Sequence, residues 1–208
     1  MRKALAFPLT AVYYVAFFTT LLVFHFVQWV CYYCFGYTAH KRSVDILNAT
    51  LIGCLGVLGT RVRFSNPHKL QNSKPHIIVC NHQSLYDTPP LVWYLRHLHP
   101  KFISKKELGR GVPSVSFNLR HGGSLLIDRD KAKDALVAIE DYANKLSSYK
   151  HSTIIFPEGT RSGSATPRRF RLGGLITLLE NITLSPGSRT TSRLSPRANL
   201  AKAARGSP

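Results

Sequence analysis

The stretch from Ala4 to His40 contains no Asp, Glu, Lys or Arg. Its core, residues 10–35, is apolar and aromatic and exceeds the roughly 20 residues that an α-helix needs to cross a bilayer. Arg2 and Lys3 give the chain the basic start of a signal peptide, but the apolar run is longer than the roughly 7–15 residues of a signal sequence. The stretch therefore predicts a retained membrane helix.

A second apolar stretch runs from Ile46 to Leu58 and is interrupted by polar and glycine residues. It is too short to span a bilayer comfortably, so it predicts an interfacial or re-entrant helix, or a helix packed on the domain that follows. Basic residues flank the first stretch at residues 2–3 and 41–42. Because they lie on both sides, the positive-inside rule does not fix the orientation.

Polar residues follow a short apolar segment, His76–Cys80, that is typical of a buried strand. A Thr-Pro-Pro sequence begins at Thr88, and because proline is favoured in the first turn of a helix, it predicts a helix start there. His82 and Asp87 then lie on the connection after the strand, where α/β proteins place reactive groups.

His82 and Asp87 are five residues apart, which would separate them by about 140° on a continuous helix. A turn can instead return the carboxylate to the imidazole, which fixes the tautomer and leaves the other ring nitrogen to accept a proton. The pair therefore predicts a general base. The alternative is a surface loop that holds a His and an Asp by chance.

Two further apolar segments end in polar groups. Gly123–Arg129 closes on an arginine, and Thr153–Phe156 continues directly into Pro157-Glu158-Gly159-Thr160-Arg161-Ser162. Pro and Gly bracket a tight turn and let the backbone approach a ligand closely. The guanidinium of Arg161 is a planar set of donors suited to a phosphate.

Short strands alternate with helices through the middle of the chain. Lys101–Ser104 predicts a strand, residues 130–148 an amphipathic helix, Val112–Leu119 and Leu172–Leu179 two more helices, and Arg61–Phe64 an edge strand. The apolar face of the amphipathic helix comprises Ala135, Leu136, Ile139, Tyr142, Ala143 and Leu146. This order predicts an α/β fold, with a mainly parallel twisted sheet flanked by helices, an N-terminal membrane helix and a second interfacial helix.

The composition changes after Thr183, beyond which the chain has no acidic and no aromatic residue. Such a segment cannot bury a core. We expect membrane-associated helices over residues 1–60, an α/β domain over 61–183 and a disordered basic tail over 184–208. The net charge of +18 with 44% hydrophobic residues indicates contact with an anionic membrane surface, anionic substrates or nucleic acid.

The four cysteines all lie in apolar segments. Cys31 and Cys34 have the spacing of a metal-binding pair, but no second Cys or His pair with zinc spacing accompanies them. We therefore predict no structural disulfide and no metal site.

The three motifs together resemble the glycerophospholipid acyltransferases, and most closely the 1-acylglycerol-3-phosphate (lysophosphatidic acid) acyltransferases. In chain order they are Asn-His-x4-Asp, Gly-x-x-Leu-Ile-Asp-Arg and Phe-Pro-Glu-Gly-Thr-Arg-Ser. The third matches residue for residue, and the second has Leu126 where Phe is commoner. The resemblance covers roughly Arg61 to Glu180. It ends near Thr183, where family members continue with a strand carrying Val-Pro and more sheet; a truncation or a shifted reading frame would explain the change.

The resemblance implies acyl transfer from acyl-CoA or acyl carrier protein to the sn-2 hydroxyl of lysophosphatidic acid, with no covalent acyl-enzyme and no bound cofactor. His82, oriented by Asp87, would be the general base, and Arg129 and Arg161 would hold the acceptor's phosphate. Glu158 would hold an arginine or accept a hydrogen bond from an acceptor hydroxyl. The other expected substrate-binding residues are Asn81, Ser84, Lys105, Phe156, Pro157, Gly159 and Thr160. For Arg129 the alternative is a structural ion pair with Asp128 or Asp130.

The expected partners are membrane lipids, lysophosphatidic acid and the acyl donor, with no nucleic acid. The expected location is a bacterial inner membrane or the endoplasmic reticulum, with the catalytic domain facing the cytosol. Two alternatives stay open. One is an acyltransferase of the same family that acts on glycerol-3-phosphate or another lysophospholipid. The other is a non-enzymatic, membrane-tethered basic module, although the basic residues lack the interleaved aromatics of nucleic-acid binders.

Overall fold

The computed structural model describes residues 2–65, 70, 75–149, 151–164 and 166–184. Apart from residue 184, the predicted basic tail lies outside these residues, so its predicted disorder stays a prediction.

Four short strands form one sheet: β1 (Ile77–Val79), β2 (Lys101–Lys105), β3 (Leu125–Ile127) and β4 (Thr153–Ile155). Their order across the sheet is β1-β4-β2-β3, and every neighbouring pair is parallel. The predicted parallel sheet is therefore confirmed. Because parallel strands end at the same edge, the segments that follow β1, β3 and β4 all emerge on one side of the molecule.

One face of the sheet packs against two helices from the second half of the chain, α4 (Ala132–Tyr149) and α5 (Gly173–Leu184). Ile103 and Ile155 point to this face, because side chains alternate along a strand. The apolar face predicted for α4 is buried here except Leu136, which is 39% exposed and lies at the rim beside Gly173.

The opposite face packs against α2 (Thr88–Tyr94) and α3 (Val115–His121) and against part of the N-terminal helix. Phe102 and Ile154, which alternate with the residues of the first face, enter this second core. Ile154 is 0% exposed. The helix start predicted at Thr88 is confirmed. Because helices cover both faces of the sheet, its strands are apolar runs that do not alternate with polar residues.

The N-terminal helix, α1 (Arg2–Val57), is bent at Gly36, whose φ of 78° and ψ of −170° leave helical geometry. A positive φ is strained for residues with a side chain, so glycine suits this position. The bend divides α1 into a first arm, residues 2–35, and a second arm, residues 37–57.

The two arms lie side by side and antiparallel. Tyr13 of the first arm packs against Cys54 and Leu55 of the second, and Leu21 packs against residues nearer the bend, Leu47 and Leu51. The stretch Ile46–Leu58 is helical as predicted up to Val57, and the second arm begins earlier, at residue 37.

The second arm also packs on the α/β domain. Val44 lies in the core that contains Val92 and Ile154. One of the alternatives predicted for the second apolar stretch was a helix packed on the domain that follows, and the structure has such a helix. The first arm instead exposes large apolar side chains, including Val15, Phe18 and Phe26. Within the described residues, α1 is long and apolar enough to cross a membrane by length and composition.

The edge strand predicted at Arg61–Phe64 was wrong, since these residues form no strand. The ring of Phe64 stacks on that of Tyr94 in α2, with centroids 4.7 Å apart. Phe64 therefore contacts helix α2, and the strand that pairs with β1 is β4.

Candidate functional site

His82 and Asp87 meet at the carboxyl-terminal edge of the sheet. A single 3-10 turn, Leu85–Asp87, reverses the chain and brings Asp87 Oδ2 to 2.9 Å from His82 Nδ1. A carboxylate accepts hydrogen bonds, so Nδ1 carries the proton and the lone pair of the neutral ring lies on Nε2. The side chains of His82 and Asp87 are 20% and 26% exposed, which leaves the pair open to a ligand.

The local turn holds Asp87 in place. Its Oδ2 also accepts hydrogen bonds from the main-chain amides of Gln83 at 2.8 Å and Ser84 at 2.9 Å. The Ser84 hydroxyl accepts the Tyr86 amide at 2.9 Å, which completes a capping box. The carboxylate is therefore oriented before any substrate arrives. The Ser84 hydroxyl stabilises the turn by accepting the Tyr86 amide.

The turn after β4 buttresses His82. The Phe156 ring stacks on the imidazole, with centroids 4.2 Å apart and planes 20° apart. The Ser162 amide donates to the His82 carbonyl at 2.7 Å. The first and third sequence motifs thus form one unit, in which an aromatic face and a main-chain bond restrict the histidine.

Glu158 joins the same unit through main-chain amides. Its Oε1 accepts the His82 amide at 2.6 Å and its Oε2 accepts the Arg168 amide at 2.8 Å. The side chain is only 3% exposed, and the Arg168 and His82 amides hold the pKa of its carboxyl below the usual value. The resemblance implies that Glu158 holds an arginine or accepts a hydrogen bond from an acceptor hydroxyl; in the structure its two oxygens accept the main-chain amides of His82 and Arg168.

Arg129 lies beside Gly159. Gly159 has a φ of +73°, and a β-carbon placed there would lie 3.6 Å from Arg129 Nη1. Burial, and then the charge of Arg171, lower the pKa of Arg129. The alternative of an ion pair with Asp128 or Asp130 is not found, since within the described ranges no carboxylate lies within 4.0 Å of Arg129.

The other predicted site residues border this edge. Lys105 ends β2 and pairs with Glu107 at 3.4 Å, and Pro157 O accepts the Arg171 amide at 2.8 Å. Asn81 and Arg161 are exposed, and the structure gives no polar contact that would direct either one toward the imidazole.

A cleft of about 600 Å³ opens beside the turn after β4. Its lining residues are Glu158, Thr160, Arg168, Arg169, Phe170 and Arg171. The sequence alone is compatible with either a site for a phosphate-rich ligand or a plain basic surface at Arg168, Arg169 and Arg171. Among the described residues, no cluster of three or more His, Cys, Asp or Glu side chains could hold a metal ion.

Comparison with known proteins identifies a family. A family model described as "Acyltransferase" matches residues 61–190. A sheep 1-acyl-sn-glycerol-3-phosphate acyltransferase alpha is 30% identical over 64% of this chain and 45% of its own length. The human beta form is 28% identical over 55% of this chain and 41% of its own length. A Saccharomyces cerevisiae 1-acyl-sn-glycerol-3-phosphate acyltransferase is 26% identical over 66% and 40%.

The fold has a solved counterpart. The crystal structure of the 1-acyl-sn-glycerophosphate (LPA) acyltransferase PlsC from Thermotoga maritima superposes with a TM-score of 0.65 at 22% identity, covering 87% of this chain and 72% of that one. At this identity the likeness concerns the fold. The chain spans less than half the length of the sheep, human and yeast relatives named above.

Proposed function

Because the chain belongs to the acyltransferase family, we propose that it transfers a fatty acyl group from acyl-CoA or acyl carrier protein to the sn-2 hydroxyl of 1-acylglycerol-3-phosphate, forming phosphatidic acid. The observation that carries the proposal is the 2.9 Å contact between His82 Nδ1 and Asp87 Oδ2. The names of the sheep and human relatives support the acceptor.

In the proposed reaction His82 acts as general base and then as general acid. Asp87 keeps the proton on Nδ1, so Nε2 accepts the proton of the acceptor hydroxyl while its oxygen attacks the thioester carbonyl carbon. Collapse of the tetrahedral intermediate breaks the carbon–sulfur bond, and Nε2 returns the proton to the departing thiolate. The acyl group passes directly to the acceptor, and no bond forms between it and the protein.

Arg129 and Arg161 would bind the acceptor's phosphate. Guanidinium groups donate pairs of hydrogen bonds that match phosphate oxygens. Arg129 lies beside Gly159, the residue after the glutamate that binds the His82 amide. A phosphate held there would position the glycerol hydroxyl near Nε2, and such positioning contributes strongly to the rate of a reaction between two bound groups.

The exposed apolar side chains of the first arm fit a protein whose lipid substrate lies in a bilayer. We place residues 1–60 at the membrane and residues 61–183 on its cytosolic side, since acyl-CoA and acyl carrier protein are cytosolic. The membrane would be a bacterial inner membrane or the endoplasmic reticulum.

The test is an acceptor panel with membranes that contain the chain and one labelled acyl-CoA. Lysophosphatidic acid, glycerol-3-phosphate and lysophosphatidylcholine are supplied in turn, and labelled products are separated. We expect phosphatidic acid from the first acceptor, lost in His82→Ala and retained in the matched control His97→Ala, whose side chain is exposed. Efficient acylation of a different acceptor would reassign the substrate, and equal turnover by His82→Ala would contradict the proposed chemistry.

A further inference from the structure

Two arginines from distant parts of the chain converge above Gly159. Arg129 follows β3, and Arg171 precedes α5. A β-carbon placed on Gly159 would lie 3.6 Å from Arg129 Nη1, 3.7 Å from Arg171 Cδ and 3.9 Å from Arg171 Nε. Both side chains therefore approach one point on the backbone of the turn that follows β4.

The two positive charges lack a carboxylate between them. Burial, and then the positive charge of Arg171, lower the pKa of Arg129, whereas the negative charge of Glu107 raises it. Glu107, however, pairs with Lys105 at 3.4 Å. In the part of the chain that the structure describes, no carboxylate lies within 4.0 Å of either arginine. Like charges held together without a counter-ion repel each other, and an anion bound between them would remove that repulsion.

The backbone around Arg171 is anchored to the same turn. The Arg171 amide donates to Pro157 O at 2.8 Å, and the Arg168 amide donates to Glu158 Oε2 at 2.8 Å. These bonds hold the main chain at residues 168 and 171 against the two residues that precede Gly159. Arg171 is exposed and lines the 600 Å³ cleft, so its side chain is accessible to a ligand while its main chain is held.

We propose that Arg171 and Arg129 form a two-guanidinium clamp that selects a dianionic phosphate monoester at the acceptor headgroup and disfavours phosphodiesters. The inference rests on the proposed function and adds Arg171 as a specificity-determining residue. A phosphate monoester carries close to two negative charges at neutral pH, since its second pKa is about 6, whereas a diester carries one. Two adjacent cations gain more from the doubly charged group.

The experiment compares two matched ligands, lysophosphatidic acid and its phosphate methyl ester, which differ by one charge and one methyl group. Equilibrium binding of each is measured on the detergent-solubilised chain and on three variants: Arg171→Gln, Arg171→Lys and the control Lys133→Gln, an exposed cation on α4. Phosphatidic acid formation is measured on the same preparations.

We expect the unmodified chain and Lys133→Gln to bind lysophosphatidic acid much more tightly than its methyl ester. Loss of a hydrogen bond to a charged group should weaken lysophosphatidic acid binding about 10- to 100-fold in Arg171→Gln and bring the two affinities close together. Arg171→Lys should retain part of the preference, because it keeps the charge but loses the planar pair of donors. Binding of the methyl ester should change little.

An unchanged preference in Arg171→Gln would overturn the clamp. Should that variant not fold, the unmodified chain still decides. At pH 5 only about a tenth of the monoester is a dianion, so a preference that is not reduced at pH 5 would equally overturn the clamp. Absence of acyl transfer by the unmodified chain would count against the proposed function, while the ratio of the two affinities would still test the clamp.

Discussion

The two edges of the sheet both carry histidines, but their surroundings differ. At the carboxyl-terminal edge His82 lies 2.9 Å from the Asp87 carboxylate and remains partly exposed. At the amino-terminal edge His151, just before β4, stacks on His99 with ring centroids 5.3 Å apart. Burial, and then the charge of Lys101, lower the pKa of His151 to about 4.

The amino-terminal edge also contains a buried lysine, Lys101. It is 6% exposed, donates to the Tyr37 hydroxyl at 2.6 Å, and burial lowers its pKa to about 8. A buried cation beside histidines favours neutral imidazoles, whereas a carboxylate beside a partly exposed imidazole orients it for proton transfer. The partner and the access to solvent, and not the residue type, distinguish the proposed base His82 from the packed His151.

The largest expected effect separates the two edges directly. His82→Ala should lower turnover by about 10²- to 10⁴-fold, the usual contribution of a general base, whereas His151→Gln should leave turnover near that of the unmodified chain. Initial rates of phosphatidic acid formation at matched protein levels check this. If the two substitutions had similar effects on turnover, the distinction between the edges would be wrong.

Asp87→Asn tests whether the carboxylate makes the difference. An amide oxygen at the Oδ2 position can still accept hydrogen bonds from the main chain and from His82 Nδ1, but without the negative charge it orients the imidazole less firmly and does not stabilise its protonated form. We expect turnover to fall by about 10²-fold or more with little change in melting temperature. Full activity in a folded Asp87→Asn protein would show that orientation by this carboxylate is unnecessary.

Glu158→Gln removes one of the two acceptor oxygens that hold the amides of His82 and Arg168. A glutamine has a single acceptor oxygen, so one amide loses its partner and the His82 backbone can shift. Misplacement of a catalytic group by about 1 Å can reduce the rate by about 10²-fold, so we expect a loss smaller than that of His82→Ala. Turnover at saturating lysophosphatidic acid measures it, and Glu140→Gln on the exposed side of α4 is the matched control.

The smallest expected effect concerns stability at the amino-terminal edge. Because the pKa of Lys101 falls from 10.5 to about 8 on folding, the unfolded chain binds more protons between these values, so stability should rise with pH across this window. Lys101→Met should remove that rise and increase the free energy of unfolding at pH 7 by up to about 3 kcal/mol. Melting temperatures of both proteins in detergent from pH 7 to 10.5 check the difference. A variant that keeps the rise would show that another group causes it.

The sequence predicts those features that depend on local pattern. Apolar runs ending at Cys80 and Phe156 indicate strands, and the prolines after Thr88 mark the start of α2. Because parallel strands deliver their ends to one edge, the placement of His82 and Arg129 at the same edge of the sheet also follows from the alternation of strands and helices.

The features that could not be predicted depend on contacts between distant segments. The alternating pattern at Arg61–Phe64 indicates a strand, but these residues form none, and Phe64 stacks on Tyr94 of α2. Glu158 could be placed in the site by its motif, yet nothing local shows that its oxygens bind the amides of His82 and Arg168.

We propose that His82 and Asp87 act as one catalytic unit. The most direct test of this proposal is the rate of phosphatidic acid formation by the His82→Ala/Asp87→Asn double variant beside both single variants. Residues that act as a unit have non-additive effects, so the double variant should be no slower than His82→Ala alone. Losses that multiply in the double variant would show two independent contributions and contradict the account.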